Sequence, residues 1–141
     1  MRVLSAASLI GMMLITSNAD AGCRRREERS PAAWATRLVR SADVIMYAEV
    51  VQQQDITQSK AAVLRPMIIY KGSPADSYTM SLPRSDNVIV TESYAGFDGH
   101  LRERRFVLLH KTSAGFEIDP CQQYLVEDSA IRSAVIRKTR H

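Results

Sequence analysis

Cysteine, histidine and paired acids are the side chains of this chain able to carry chemistry, and their spacing assembles none of the usual reactive sets. The two cysteines, Cys23 and Cys121, have no Cys-x-x-Cys or His-x-x-x-His companion, so no metal site is expected. His110 closes an apolar stretch and reads as structural, His100 sits near Asp98, and His141 is the last residue. Glu27-Glu28 lies in a charge run and Glu127-Asp128 at a helix start, where solvation and capping account for them. Serines are too common for any Ser, His and Asp set to stand out. The reading is of a protein that is not an enzyme and holds no metal or cofactor.

The start of the chain says where the protein works. Met1-Arg2 is a short positive start, Val3 to Thr16 is almost unbroken apolar sequence, and Ala19-Asp20-Ala21 puts small residues where a signal peptidase reads. This is the layout of a secretory signal peptide spanning 1–21, with one domain over 22–141. The apolar run is short of the roughly 20 residues a membrane span needs, and nothing after Thr16 comes closer. A periplasmic or secreted protein without a transmembrane span is expected. In an oxidising compartment Cys23 and Cys121 can persist as a disulfide closing nearly the whole domain into one loop; a free buried thiol pair is the alternative. Asp20-Ala21-Gly22-Cys23 also half-matches a lipoprotein box, which makes a lipid anchor at Cys23 a minor alternative.

The elements that must position these residues follow from pattern. After the charge run Cys23 to Arg29, Ser30-Pro31 reads as a helix start, with Trp34 and Leu38 on one face and an end near Arg40. Ala42 to Gln52 is apolar on both alternating faces, as a strand buried on both sides requires. Gln52 to Lys60 is polar and predicts a loop. Ala61 to Tyr70 is a second strand in which Pro66 demands a bulge, an edge or a break, and Lys71-Gly72-Ser73-Pro74 ends it. Tyr78 to Leu82, Asn87 to Glu92, Phe106 to His110 and Gly115 to Ile118 are further strand candidates, with Ser93 to Glu103 as the longest loop. Pro120-Cys121 stops the last strand, and Glu127 to Lys138 predicts a helix. The fold class is mainly β: a small OB-like β-barrel of about five strands with an N-terminal and a C-terminal helix, against an open β-sandwich.

The formal net charge of +4 favours loose attraction to acidic surfaces and falls short of a nucleic-acid-binding signature. Tyr47, Tyr70, Tyr78 and Tyr94 offer rings and Arg102, Arg104 and Arg105 offer charge, but export argues against a nucleic-acid partner.

The order of Cys23, A-D-V-I-M-Y-A-E-V-V (Ala42 to Val51), I-I-Y-K-G (Ile68 to Gly72), R-F-V-L-L (Arg105 to Leu109), a glycine-containing turn and a late Cys121 resembles the netrin-like module. This is the OB-fold barrel of tissue inhibitors of metalloproteinases and of many exported bacterial proteins. Many members begin Cys-x-Cys, whereas this chain has Cys23-Arg24-Arg25, and the extra cysteine common before the later strand is absent. The resemblance implies an N-terminal segment tied down by a disulfide, here Cys23 to Cys121. In the inhibitor branch a free N-terminal cysteine chelates the target's zinc through its amine and carbonyl. Cleavage after Ala21 puts Gly22 ahead of Cys23 and removes that amine.

The functional expectation is an exported protein-binding module of the bacterial envelope, its partner a protein of unknown identity. Contacts are expected from Cys23, Arg24, Arg25 and Arg26 and from Tyr94 and Phe97 in the long loop. A metalloprotease inhibitor acting through Cys23 and a structural envelope protein are the alternatives. Export itself is testable: Leu14→Arg places a charge in the apolar run at about 3 kcal/mol on insertion scales. The unprocessed precursor should accumulate in a pulse-chase, and normal processing of the variant would refute the signal peptide.

Overall fold

The computed structural model describes residues 29–56, 59–82 and 100–141, so the proposed signal peptide, Cys23, the strand candidate Asn87 to Glu92 and most of the long loop lie outside the described residues. The expected first helix is α1, Pro31–Ser41. The Ser30 hydroxyl accepts from the Ala33 N–H at 3.2 Å, and Pro31 occupies a first-turn position where no N–H is missed. Trp34, Ala35 and Leu38 form its buried face. At the other end the Lys71 ammonium donates to the carbonyls of Val39, at 2.7 Å, and Ala42. A cation is favoured at that end of a helix dipole.

The strands are β1, Val44–Ile56; β2, Ser59–Lys71; β3, Tyr78–Leu82; β4, Arg104–Thr112; and β5, Gly115–Glu117. They close into a barrel in the order β1-β2-β3-β5-β4, with β4 returning to β1. All pairings are antiparallel except β3 with β5. The result is a small OB-like barrel with flanking helices, as the strand spacing predicts. Its interior is filled by Val44, Met46, Ala48 and Val50 of β1 against Leu64, Met80, Val107 and Leu109.

Pro66 is accommodated by a bulge. Tyr47 pairs with Ile68 and Ala48 with Pro66, which leaves Met67 as the extra residue. The polar stretch Gln52 to Lys60 is not the expected loop. β1 runs on to Ile56 and β2 starts at Ser59, with Gln53 opposite Ala62 and Gln54 opposite Ala61. Backbone pairing between two long strands tolerates glutamine where the side chain faces water, so composition misplaced this boundary. Gly72 has φ +108°, and a Cβ there would stand 3.0 Å from Val44 Cγ2 and 3.1 Å from the Asp43 carbonyl. The Lys-Gly pair therefore caps α1 and lets β2 turn tightly past β1.

The chain end also differs from expectation. Pro120 opens a further helix rather than only stopping a strand: Asp119 accepts from the N–H groups of Cys121 and Gln122, and α2 spans Pro120–Glu127. Asp128 then caps α3, Ser129–Lys138, through the N–H groups of Ala130 and Ile131. The helix expected over Glu127 to Lys138 is thus α3, and α2 is a further helix, opened by its own aspartate cap, that the pattern did not reveal. The three helices cover the outer face of β1 and β4. Trp34, Leu38, Leu125, Val126, Ile131 and Val135 pack there on Ile45, Phe106 and Leu108. Among the described residues no helix is long and apolar enough to cross a membrane.

β5 pairs with β4 only from His110 to Thr112, so the edge of β4 around Phe106 to Leu108 needs another partner. Gln123 of α2, which is 2% exposed, supplies it. Its Nε2 donates to the Phe106 carbonyl at 2.8 Å and its Oε1 accepts from the Leu108 N–H at 3.5 Å. The amide acts as a one-residue strand. Gln123→Leu keeps the volume but strands both backbone groups, each at about 1–3 kcal/mol when buried. Urea denaturation should show a loss of about 2 kcal/mol or more at unchanged m-value.

Candidate binding surface

On the outer face of β1 the residues Ile45, Tyr47 and Glu49 stand in successive rows, each flanked by partners on β4 and β2. The first row packs under the helices, and Tyr47 and Phe106 of the second lie against them. At the third row the helical cover ends. There Glu49 lies between Arg104 of β4 and Arg65 of β2, its register partners on either side. Arg65 Nη2 donates to Glu49 Oε2 at 2.6 Å, and Arg104 Nη2 is 3.8 Å from Oε1. The Glu49 side chain is only 11% exposed, while those of Arg65 and Arg104 are 62% and 55% exposed. A covered carboxylate thus carries two guanidiniums that open to solvent.

Arg102 joins this row from the segment leading into β4. Its N–H donates to the Val50 carbonyl at 2.8 Å, the Val50 N–H donates to the Glu103 carbonyl at 2.8 Å, and its charge acts on Glu49. The Glu49 carboxyl is held below its ordinary range, first by the Arg65 hydrogen bond. Burial opposes this, and the charges of Arg104, Arg65 and Arg102 add to the lowering. Arg105 faces a different set of acids, at 2.5 Å from Glu103 Oε1 and 3.1 Å from Glu127 Oε1. Apolar groups border the row: Met67 at the bulge is 46% exposed and Ile68, opposite Tyr47, is 50% exposed. Val51 and Leu101 are also exposed and flank the Val50–Arg102 backbone pair.

The residues expected to act sort as follows. Cys23, Arg24, Arg25, Arg26, Tyr94 and Phe97 lie outside the described residues. Cys121 is exposed in the first turn of α2, and no free cysteine stands among the described residues. His110 is structural in its contacts: Nε2 is 3.1 Å from Gln122 Oε1, which also accepts from the Ser41 hydroxyl at 3.1 Å. The tyrosines do not form a stacking platform. Tyr78 is buried with its hydroxyl on the Ser73 carbonyl, Tyr70 lies against Phe106, and Tyr47 packs under the helices. Of the three arginines, Arg102 and Arg104 come together and Arg105 does not. Glu49, Arg65, Met67 and Ile68 escaped the sequence reading. The signal for the first two was a charge in the middle of each of two apolar stretches, Ala48-Glu49-Val50 and Leu64-Arg65-Pro66. Among the described residues no group of three or more His, Cys, Asp and Glu is placed to hold a metal ion. No family model, curated protein or solved structure matches this chain.

The direction of the Glu49 shift fixes a pH dependence. A carboxyl lowered by folding contributes stability that is complete above its unfolded value of about 4.3 and is lost as pH falls through the folded value. Wild-type protein should therefore exceed Glu49→Gln in stability at pH about 6–7. The gap should close as pH is lowered below about 4, read by thermal melts across that series.

Proposed function

We propose that this chain is an exported, non-enzymatic protein-binding module of the bacterial envelope, built on a netrin-like barrel. What supports the reading most is the exposed apolar and arginine surface where the helical cover stops. Methionine, arginine and exposed aliphatic groups side by side on a rigid sheet are the composition of a protein interface rather than of a solvated face. The segment Cys23 to Arg26 and the loop carrying Tyr94 and Phe97 are the further contact regions of this reading. The resemblance to the netrin-like module supports it through strand motifs whose physical roles are legible: Asp43 of the first accepts from the Lys111 N–H at 2.7 Å, and Lys71-Gly72 of the second caps α1.

A Cys23–Cys121 disulfide belongs to the same proposal. Cys121 adjoins Gln122, whose amide oxygen meets Ser41 at the C-terminal end of α1. The bond then needs the leader to double back along α1, a distance of about 15 Å at the helical rise. The seven residue steps from Cys23 to Ser30 reach at most about 25 Å, which is enough. The charged leader would be held against the helical layer instead of trailing.

Two measurements test the reading. Capture from an envelope extract by the mature protein should enrich defined proteins over a tag-only control, and an identical set would refute the binding function. Mass spectrometry of the non-reduced mature protein should find Gly22 first and Cys23 joined to Cys121, and Cys23→Ser should cost about 2–5 kcal/mol of stability. Cys23 as the first residue would favour the zinc-chelating inhibitor instead, and a diacylglyceryl mass on it a lipid anchor.

A further inference from the structure

We infer that the row Arg104–Glu49–Arg65, with Arg102 beside it and Met67 and Ile68 at its border, is the docking surface for an acidic polypeptide segment that also carries apolar side chains. The inference rests on the protein-binding reading above and names the chemistry of the partner. Three guanidiniums face one carboxylate, so the row keeps a positive excess that an incoming carboxylate complements. One close guanidinium, that of Arg65, is enough to pair the covered carboxylate, so folding leaves the charges of Arg104 and Arg102, of which Arg104 is more than half exposed, in excess.

Arg102 adds an independent observation. Its φ of +68° makes it the one non-glycine residue in left-handed backbone among the described residues. A glycine or asparagine fits that conformation at lower cost, so the arginine side chain is being kept there against local preference. Planar guanidiniums suit carboxylates through paired N–H donors, and the sheet sets Arg65 and Arg104 two strand spacings apart, one on either side of β1. The apolar border selects the class of partner. A phosphate-rich surface would use the arginines alone, whereas Met67 and Ile68 offer apolar contact beside them, as interfaces between proteins do. Glu49 lies at the centre as a resident carboxylate that holds the guanidiniums of Arg65 and Arg104 in place and competes with the ligand for them.

The test uses the full mature protein and fluorescence anisotropy with a labelled peptide of alternating glutamate and leucine. Its glutamine counterpart and vesicles of anionic phosphatidylglycerol are the comparison probes. The glutamate peptide should bind more tightly than the glutamine one. R65E/R104E should weaken it by about tenfold or more, an effect of the size seen for charged interface residues. R137E/K138E makes the same change of net charge on exposed residues of α3 and should leave binding within about twofold. Glu49→Gln should tighten binding, an effect that a merely structural role for the row would not produce. Circular dichroism confirms that each variant folds, and Arg65→Gln replaces the double variant if that one does not.

Equal loss from the α3 variant would reduce the effect to net charge and overturn the proposal. Equal binding of both peptides would also overturn it, as would binding of vesicles alone through the same arginines. The proposal and the broader reading fail separately. If R65E/R104E captures the same envelope partners as wild type, the surface is wrong and the binding function stands. If capture finds no partner while the peptide results hold, the surface stands and the envelope role fails.

Discussion

β1 belongs to two hydrophobic cores at once, and the other elements are arranged around that fact. Its inward residues Val44, Met46, Ala48 and Val50 fill the barrel, while Ile45 on the opposite face lies under the helices with Tyr47. β4 does the same with Val107 and Leu109 inside and Phe106 and Leu108 outside. Full burial of one such aliphatic side chain is worth about 1.5–3 kcal/mol, so neither face can be left to water. A helical layer over these two strands is a consequence of their composition. The cores share a floor, and loosening one removes a wall of the other.

Closing so small a barrel leaves backbone groups without strand partners, and buried ones must be paired. Side chains complete the pairing. Gln123 serves the β4 edge that the short β5 does not reach, Lys71 takes the last carbonyls of α1, and Asp43 takes the Lys111 N–H beyond the end of β1. Each lies far from its partner in sequence. The helices are therefore tied to the barrel by directed polar contacts as well as by apolar packing, which fixes where their cover ends.

That ending defines the surface. One row further along the same strands, apolar residues give way to Glu49 and its arginines, and on β2 the bulge at Pro66 turns Met67 outward beside them. Had the helices extended over this row, three guanidiniums would have been buried against a single carboxylate at a large desolvation cost. Leaving it open keeps the arginines hydrated and available. Binding groups set on paired strands are also more rigidly placed than groups on loops.

The sequence by itself determined the local decisions. Ser30-Pro31 specifies a helix start because a hydroxyl acceptor and a ring without N–H suit that position, and the two apolar faces of Ala42 to Gln52 specify a strand buried on both sides. A disruption at Pro66 was legible for the same reason, because a residue without N–H interrupts a ladder, but only the register with β1 decided that it is a bulge and not an edge or a break. The polar run after Gln52 and the helix at Pro120 misled, because ladder pairing and two aspartate caps outweigh composition there. The site lay beyond local reading altogether. Glu49, Arg65 and Arg104 lie on three different strands, and nothing in the local sequence of any one of them points to the others. Only the register of three paired strands puts them in one row, and only the packing of the helices decides that their cover stops short of the arginines.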